Sequence, residues 1–554
     1  MNFQQGDPVA ALLFALVQQP VVLKIAEEVP GLRLNAWFLD DGTLVGTREE
    51  LELVVDILEK EGPARGLVLS TARSVKAPAI PKSSVWCPRP AGEAGNPDPL
   101  GRGIPQVLEE GIVVLGAPIG SRDFVQQRLR KRVDKVRDIT ALLPDIKDPH
   151  TEFVILRSCL SLPKIMFSLR TVDTSTLLDE LKDFDSINRE AVSRIMGPPL
   201  SDQQWEQAKL PVHMGGLGIR GAEDHGPVAY AVSYLSSRPL VSKLLNLNEE
   251  DPAILPQELL DALSNRQGED LETASLVGVK QKAASLVVDQ HNLHLLSETL
   301  TRKGSVRETA RLASLGLAHA GDWLNLVPCP ALGLHLRPAE FTAALKYRLG
   351  VPMYDREGPC PACGRPSDTL GDHALCCGSS GERIARHNSL RDTLYQTAIK
   401  AALGPVREGR ALIPGSAARP ADVFIPRWSG GRDAALDVTV IHPLQSSTVA
   451  GAAVTAGHAL TIAYDRKVAG AAEACSQAGI AFIPLAVESL GGWHPVAVEE
   501  VKRMASALAR HKGEEDEGKE QRELFQLLAL LVQKGNAALF NNRVPDDGDA
   551  GIML

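Results

Sequence analysis

Residues 419–443 read RPADVFIPRWSGGRDAALDVTVIHP. Two runs typical of β-strands flank Ser429-Gly430-Gly431-Arg432, and this pattern predicts a hairpin turn. Asp422 and Asp437 are nearly equidistant from the turn, so antiparallel pairing would place them opposite each other, with Cβ atoms ~4.5–5.5 Å apart. Opposed carboxylates repel unless a cation compensates them, and divalent cations prefer oxygen ligands. The stretch therefore predicts a metal-binding hairpin.

A lysine downstream of the hairpin is the third candidate residue of this site. Lys467 lies on an otherwise apolar helical stripe formed by Leu460, Tyr464, Ala471 and Ala474. It either extends to the edge of that stripe to reach water or points back at the hairpin. Glu408, which precedes the hairpin, could add a carboxylate. In the competing interpretation, Asp422 caps a turn and Asp437 pairs with Arg432 or Arg427 at the surface.

A cysteine–histidine cluster predicts a second metal site. Cys360 and Cys363 are followed by His373 and Cys377 in a C-x2-C-x9-H-x3-C pattern. This spacing fits a tetrahedral zinc ion with four protein ligands and no open position, so the expected role of the zinc is structural. Cys376 could replace Cys377, and His387 could replace His373. Four of the eight cysteines fall within residues 360–377, which favours a reduced intracellular protein over a disulfide scaffold.

Charge gives a weaker indication of nucleic-acid binding. The formal net charge is -9, whereas nucleic-acid-binding proteins are usually basic. Phosphate contacts nevertheless need only one basic face. Residues 122–137 carry seven basic residues on a helical pattern whose Leu129, Val133 and Val136 are expected to face inward. The predicted backbone-contacting residues of this helix are Arg128, Arg130, Lys131, Arg132, Lys135 and Arg137.

The N-terminal part contains several short motifs in a characteristic order. Asp40 and Asp41 follow an apolar run and precede glycine, which predicts a tight turn with carboxylates at its tip. Such a pair can hold a divalent metal. The other motifs are Gln5-Gly6-Asp7-Pro8, Lys82 in KSSVW, Leu115-Gly116-Ala117-Pro118-Ile119-Gly120 and His213-Met214-Gly215-Gly216-Leu217-Gly218.

Taken together, these motifs resemble the palm and thumb of a reverse transcriptase over roughly residues 1–235. The resemblance implies that Asp40 and Asp41 belong to the polymerase metal site and that Lys82 neutralises the leaving pyrophosphate. In the family, a further metal-binding aspartate lies on a strand before the QGDP motif, and here Met1 lies three residues before Gln4. We therefore expect no primer extension by this chain alone. Extension on an RNA template that Asp40→Ala abolishes would contradict this expectation.

The order of Asp422, Asp437 and Lys467 resembles the PD-(D/E)XK nuclease core over roughly residues 384–495. Ala421 separates Pro420 from Asp422, and Thr439 occupies the usual lysine position. Endonucleases of retrotransposons place that lysine on the following helix, which agrees with Lys467. With the cysteine–histidine segment between thumb and nuclease, the whole chain resembles the C-terminal portion of a non-LTR retrotransposon polyprotein.

The expected fold is an α/β multidomain protein. Its segments are a truncated reverse-transcriptase palm (1–120), a helical thumb (121–235), a helical connector (236–358), a zinc knuckle (359–378), a restriction-endonuclease-like α/β domain (379–500), and a charged C-terminal helix and tail (501–554). The longest apolar run is interrupted by Gln18, Gln19 and Lys24, so we expect no membrane segment.

The expected function is a Mg²⁺- or Mn²⁺-dependent DNA endonuclease joined to a polymerase remnant, with structural Zn²⁺. Its partners would be DNA and RNA, and it would be made in the cytoplasm and act in the nucleus. The alternatives are a non-catalytic nucleic-acid-binding protein and a decayed fragment of a retroelement. Neither the target site nor the oligomeric state follows from the sequence.

Overall fold

The structure is a computed structural model of the 554-residue chain. It describes residues 9–72, 82–87, 96–245, 255, 257–267, 278–379, 381–414 and 419–545. The QGDP motif and the Gly/Asp-rich C-terminal tail lie outside the described residues. The described part is a mixed helix and sheet protein, which confirms the α/β class.

Helices dominate the described residues. The helices are α1 Ala10–Glu28, α2 Arg48–Glu61, α3 Arg122–Ala141, α4 Pro149–Ile155, α5 Leu162–Thr171, α6 Leu178–Met196, α7 Asp202–Lys209, α8 Ala222–Leu245, α9 Gln257–Gln267, α10 Gln281–Arg302, α11 Val306–Leu315, α12 Pro338–Leu349, α13 Asp372–Cys376, α14 Glu382–Lys400, α15 Val449–Val454, α16 His458–Gln477, α17 Pro495–Lys512 and α18 Glu517–Asn541. The described residues of the predicted thumb (121–235) and connector (236–358) are predominantly helical.

The strands are short outside one sheet. They are β1 Leu34–Phe38, β2 Asp41–Val45, β3 Val85–Trp86, β4 Gln106–Val107, β5 Gly111–Val114, β6 Ala117–Gly120, β7 Gly358–Pro359, β8 Pro366–Ser367, β9 Val406–Arg407, β10 Val423–Ser429, β11 Arg432–Ile441 and β12 Ala481–Glu488. Strand β3 pairs in parallel with β4.

Contacts divide the chain into two compact units. The first comprises Met1–Lys135, Ile165–Asp183 and Glu223–Ser285, and the second comprises Val136–Lys164, Phe184–Ala222 and Leu286–Leu554. The predicted thumb and connector each contribute to both units, so their boundaries do not coincide with these units. The predicted zinc and nuclease segments lie wholly in the second unit.

In the first unit, the hairpin of β1 and β2 lies beside helices α1 and α2. Val21 and Ile25 of α1 pack against Val54, Ile57 and Leu58 of α2. Helix α2 begins at a capping box, in which the Thr47 hydroxyl accepts from the backbone of Glu50 and the Glu50 carboxylate accepts from Thr47. This packing holds the β1–β2 turn, which carries Asp40 and Asp41.

Helix α1 meets the length and composition requirements of a membrane span, although no membrane is present and only 17% of its most apolar window is buried. The helix continues through Gln18 and Pro20, which interrupt the apolar run in the sequence. At 1.5 Å per residue its 19 residues extend about 28 Å. One such helix near a terminus is weak evidence, so the expected absence of a membrane segment stays a prediction.

The second unit contains a four-stranded sheet with the strand order β12-β11-β10-β9. Strands β9, β10 and β11 are antiparallel neighbours, whereas β11 and β12 are parallel and are joined through α15 and α16. Helices α14, α17 and α18 cover one face with an apolar core. Helix α16 covers the other face through Leu460, Ala463 and Cys475. These helices and strands give residues 379–500 the mixed helix and sheet character expected from the sequence.

The C-terminal helix α18 is a core element rather than a charged appendage. Leu528, Ala529 and Val532 are fully buried, and Phe525 is 1% exposed. The helix packs against α14 and α17 on the sheet and also contributes Ala529 and Leu530 to a neighbouring helical core. The charged residues at its start conceal this amphipathic character in the sequence. Because the helix is part of the core, the segment after the predicted boundary at residue 500 is not peripheral.

Candidate functional site

The hairpin of β10 and β11 forms at the predicted place. Gly430 and Gly431 form its turn with φ angles of +59° and +80°, a conformation that glycine adopts without strain. Ser429 pairs with Arg432 at the turn, but the register shifts between Ile425 and Ser429 through a bulge. Beyond the bulge, Val423 pairs with Leu436. The next residues along this register are Asp422 and Asp437, which are therefore opposite each other as predicted.

Lys467 reaches this hairpin from helix α16. Its Nζ lies 2.7 Å from Oδ2 of Asp437, whose side chain is 13% exposed. The apolar stripe of α16 packs on the sheet and directs the lysine towards the strand. Lys467 therefore points back at the hairpin, and the competing pairing of Asp437 with Arg432 or Arg427 does not form. Burial raises the pKa of Asp437, the ion pair with Lys467 opposes the rise, and the charge of Asp422 adds to it.

Asp422 has partners that the sequence analysis did not identify. Its Oδ2 accepts a hydrogen bond from the backbone N–H of Val438 at 2.8 Å and lies 3.0 Å from Nε2 of His387 on helix α14. The hydrogen bond with Asp422 raises the pKa of His387. His387 is thus a residue of the hairpin site, and its predicted alternative role as a zinc ligand is wrong because its ring faces Asp422.

Glu408 lies beside the hairpin, but its carboxylate has other partners. Its backbone N–H donates to the carbonyl of Asp422 at 3.0 Å, which places it on the neighbouring chain segment. The carboxylate forms a close ion pair with Arg391 and lies 3.8 Å from Arg419. A metal would therefore have to compete with Arg391 for this carboxylate, and the structure gives no support for Glu408 as a ligand.

The cysteine–histidine segment forms a compact group of ligand atoms. One ligand atom from each of Cys360, Cys363, His373 and Cys377 lies within 4.8 Å of all the others. The Sγ atoms of Cys360 and Cys377 are 4.0 Å apart, and Cys363 Sγ is 3.3 Å from His373 Nε2. Tetrahedral zinc with Zn–S distances of about 2.3 Å separates its sulfur ligands by about 3.8 Å, so the four residues could bind zinc.

Local backbone structure positions these ligands. The strands β7 and β8 form a small hairpin around Cys360, whose N–H donates to the carbonyl of Arg365 at 2.8 Å. His373 and Cys377 lie at the two ends of one helical turn, and the Cys377 N–H donates to the His373 carbonyl at 2.8 Å. Asp368 caps this turn by accepting from the backbone of His373. The x3 spacing thus brings both ligands to one face.

The two adjacent cysteines differ in their electrostatic environment. Burial raises the pKa of the Cys376 thiol to about 11. Burial also acts on Cys377, but hydrogen bonds from the backbone of Ser379 and from Arg543 outweigh it and lower the pKa of that thiol to about 6. Cys377, and not Cys376, belongs to the group of ligand atoms that lie within 4.8 Å of one another. Its lowered pKa favours the thiolate form that zinc binds, which agrees with the choice of Cys377 over the alternative Cys376.

The basic helix α3 is formed as predicted, with Leu129, Val133 and Val136 at most 2% exposed. At least three of its six candidate phosphate contacts bind other groups in the chain. Arg128 pairs with Glu109 at 2.6 Å, Arg130 pairs with Glu180 at 2.7 Å, and Arg132 donates to Ser168 and to the Gly116 carbonyl. The remaining three, Lys131, Lys135 and Arg137, are exposed.

The polymerase-like residues lie in the first unit. Asp40 and Asp41 are exposed at the turn between β1 and β2, where Asp41 pairs with Phe38. Lys82 is exposed, and its backbone N–H donates to the Ser70 hydroxyl at 3.1 Å. The predicted hairpin at residues 115–120 is confirmed as β5 and β6, and Arg132 binds the carbonyl of Gly116 at its turn.

Glu488 is a buried acid that the sequence analysis missed. It ends strand β12, is fully buried, and has its pKa raised to about 7 by burial, although the Ser314 hydroxyl favours the ionised form. The unfolded chain loses this proton near pH 4.5 while the folded chain retains it, so stability falls as pH rises from about 4.5 to 7. The rise from 4.5 to about 7 corresponds to about 3 kcal/mol.

Glu488→Gln is therefore expected to stabilise the chain more at pH 8 than at pH 6. The measurement is the shift of the urea unfolding midpoint between parent and variant at each pH. The matched control is Glu499→Gln, because Glu499 is exposed on the following helix. Equal shifts at the two pH values would show that Glu488 does not carry this penalty.

No family model matches the chain, and no curated protein matches it.

Proposed function

We propose that the chain is a retroelement-derived protein whose α/β part is a divalent-metal-dependent DNA endonuclease. The observation that carries this proposal is the ion pair of Lys467 with Asp437, directly across the hairpin from Asp422. Two acids and a lysine from three separate elements meet at one place.

The order of the elements supports the same proposal. A helix (α14) is followed by three antiparallel strands (β9, β10 and β11), a helix (α16) and a strand (β12) parallel to β11. This arrangement resembles the PD-(D/E)XK nuclease core, in which the acids lie on the central hairpin. The resemblance therefore includes the topology as well as Asp422, Asp437 and Lys467. The lysine lies on helix α16, as expected for endonucleases of retrotransposons.

Each of these residues could have a separate role in phosphodiester cleavage. A magnesium ion would polarise the scissile phosphate and supply a nucleophilic water at neutral pH. Asp422 and Asp437 would hold that ion through carboxylate oxygens, and Val438 and His387 would orient Asp422. Lys467 would supply positive charge where negative charge develops in the transition state. Mn²⁺ would serve the same ligands.

A non-catalytic nucleic-acid-binding protein is the second candidate. Each candidate acid already has an internal cationic or hydrogen-bonding partner: Lys467 for Asp437, His387 for Asp422 and Arg391 for Glu408. A hairpin that only needs stable packing could use these pairs without metal.

The reverse-transcriptase resemblance belongs to the same proposal. Asp40, Asp41 and Lys82 are exposed in the first unit, as residues that contact a nucleic acid and nucleotides would be. The ancestry would be a protein that nicks DNA and copies RNA from the nick, with DNA and RNA as partners and the nucleus as the place of action. Nicking by the α/β part would not require these polymerase-like residues, so Asp40→Ala should leave the nicking rate unchanged.

Nicking of supercoiled plasmid tests the proposal. The purified chain should convert supercoiled plasmid to the open circular form with magnesium or manganese and should not do so without an added divalent ion. Binding of DNA without nicking under every metal tested would favour the second candidate.

Helix α3 provides a prediction about affinity. The double variant Lys131→Glu/Lys135→Glu is expected to weaken DNA binding to a similar extent for unrelated sequences and to flatten its dependence on salt, because these exposed lysines contact phosphates rather than bases. Fluorescence anisotropy on two unrelated duplexes at several salt concentrations measures both effects. Lys60→Glu on helix α2 is the control for charge reversal. A loss confined to one sequence would contradict the assignment.

A further inference from the structure

The second unit contains a cavity of about 640 Å³, which is within the usual size range of small-ligand sites. Three stretches of chain line it: Arg157 after helix α4, residues 211–220 after helix α7, and residues 316–325 after helix α11. None of the candidate nuclease acids lines it. The cavity is therefore a separate feature of the α/β unit.

Arg157 gives the cavity its chemical character. Its Nη1 atom is buried and has no hydrogen-bond partner among the described residues, and burial lowers the pKa of its guanidinium. The guanidinium lies 5.7 Å from the ring centroid of Phe153, so its face is covered by an aromatic ring. A buried guanidinium N–H without an acceptor is costly. Nη1 is closed off from solvent, so the Arg157 side chain would have to turn towards the cavity it lines before an anion there could accept from this atom and remove that cost.

Other arginines near the cavity add to the positive charge of Arg157. Arg220 also lines the cavity, and Arg348 lies just behind it, with its Nη2 donating to the Val212 carbonyl at 2.7 Å and its Nη1 to the Ala320 carbonyl at 3.2 Å. Two carboxylates lie nearby. Asp289 binds Arg220 through two hydrogen bonds and offsets its charge, so the net positive charge comes chiefly from Arg157 and Arg348. Asp322, which also lines the cavity, lies 2.7 Å from Nδ1 of His319.

We propose that this cavity binds a phosphate group, with Arg157 as the principal ligand and Arg220 as the second. Guanidinium groups match phosphate oxygens in geometry and charge, and the cavity excludes part of the competing water. The phosphate could come from a nucleic-acid backbone or from a free nucleotide. A backbone source suits the location, because Leu317 of the lining packs with Leu460 and Ala463 of helix α16, which carries Lys467.

The test measures phosphate binding without added magnesium, so it does not depend on nicking. The probes are inorganic phosphate, ATP and a labelled single-stranded DNA of about 12 nucleotides, each at matched ionic strength. Calorimetry gives the affinity for the first two probes, and anisotropy gives that for the third. Arg157→Gln and Arg220→Gln are each expected to weaken binding at least tenfold, and Arg157→Lys should retain part of it.

The control is Arg302→Gln, because Arg302 is an exposed arginine outside the cavity lining. It should change each affinity less than twofold. Tighter binding of the oligonucleotide than of ATP, with loss in both cavity variants, identifies a backbone site, whereas the reverse order identifies a nucleotide site. Unchanged affinities for all three probes in a folded Arg157→Gln chain and in Arg220→Gln would overturn the proposal. Absence of nicking with intact phosphate binding would overturn only the proposed nuclease.

Discussion

Protein purified without a chelator is expected to contain about one zinc ion per chain, and Cys377→Ser is expected to lose it. The four ligand atoms are already gathered within 4.8 Å, and the pKa of the Cys377 thiol is lowered to about 6, which favours the thiolate. Structural zinc in small domains contributes about 10–16 kcal/mol of apparent binding free energy, which is also folding free energy. Loss of one ligand should therefore remove most of that stabilisation.

The consequence of zinc loss should extend beyond the knuckle. Asp372, next to His373, binds Arg307 through hydrogen bonds of 2.6 and 2.8 Å and accepts one from the Tyr347 hydroxyl at 2.8 Å. These contacts tie the zinc segment to helices α11 and α12. We expect Cys377→Ser to lower the melting temperature and to expose the segment around residues 358–377 to proteolysis.

Cys376→Ser is the matched control for this prediction. It removes the adjacent thiol, which lies outside the ligand group and whose pKa burial raises to about 11. Elemental analysis should find zinc retained in Cys376→Ser and absent in Cys377→Ser. Zinc that is lost equally from both variants, or that is absent from the parent chain, would show that the cysteine–histidine group does not bind it.

The sequence was sufficient to predict which three cysteines and one histidine come together, because their spacing encodes the geometry directly. A two-residue gap forms a knuckle, and a three-residue gap places two ligands on one face of a helical turn, whatever the rest of the chain does. The spacing left Cys376 open as an alternative to Cys377. The environment that lowers the pKa of Cys377 combines the nearby backbone of Ser379 with the side chain of Arg543, which lies 166 residues further along the chain and could not be placed from the sequence.

The hairpin shows what spacing alone can and cannot predict. From the turn at Ser429 and Arg432, a regular hairpin would place Thr439 opposite Asp422. The bulge between Ile425 and Ser429 shifts the register by two residues and brings Asp437 there instead. Because the shift is by two residues, each side chain stays on the same face of the sheet. The near symmetry of the two aspartates indicated the pairing, but nothing in the sequence identified the bulge that produces it.

His387 and Glu408 illustrate the limits imposed by tertiary contacts. His387 lies 35 residues before Asp422, on a helix whose packing angle decides what the ring meets. Glu408 precedes the hairpin as an acid of a nuclease core would. Its carboxylate, however, forms an ion pair with Arg391, which lies on the same helix as His387. A single sequence contains no periodicity that predicts either contact.

Loss of either Asp437 or Lys467 is expected to abolish magnesium-dependent nicking. Asp437→Asn removes the carboxylate charge that would hold the metal ion. Lys467→Met removes the ammonium group, which lies 2.7 Å from that carboxylate. Removal of one group that stabilises developing charge typically costs about 100- to 1,000-fold in rate. Each variant should therefore nick at least about 100-fold more slowly than the parent while retaining its zinc and its DNA affinity.

Matched neighbours serve as controls for these variants. Asp465→Asn and Arg466→Met change an exposed acid and an exposed base on the same helix as Lys467. They should nick at the parental rate. Asp422→Asn should behave like Asp437→Asn, whereas Glu408→Gln should have a smaller effect because Arg391 occupies that carboxylate.

The most direct measurement is the initial rate of plasmid nicking at saturating magnesium for the parent, Asp437→Asn, Lys467→Met and the two helix α16 controls. The proposed site predicts equal rates for the parent and both controls, and rates at least about 100-fold lower for Asp437→Asn and Lys467→Met. A folded, zinc-loaded parent that nicks no DNA, or variants that nick as fast as the parent, would contradict it.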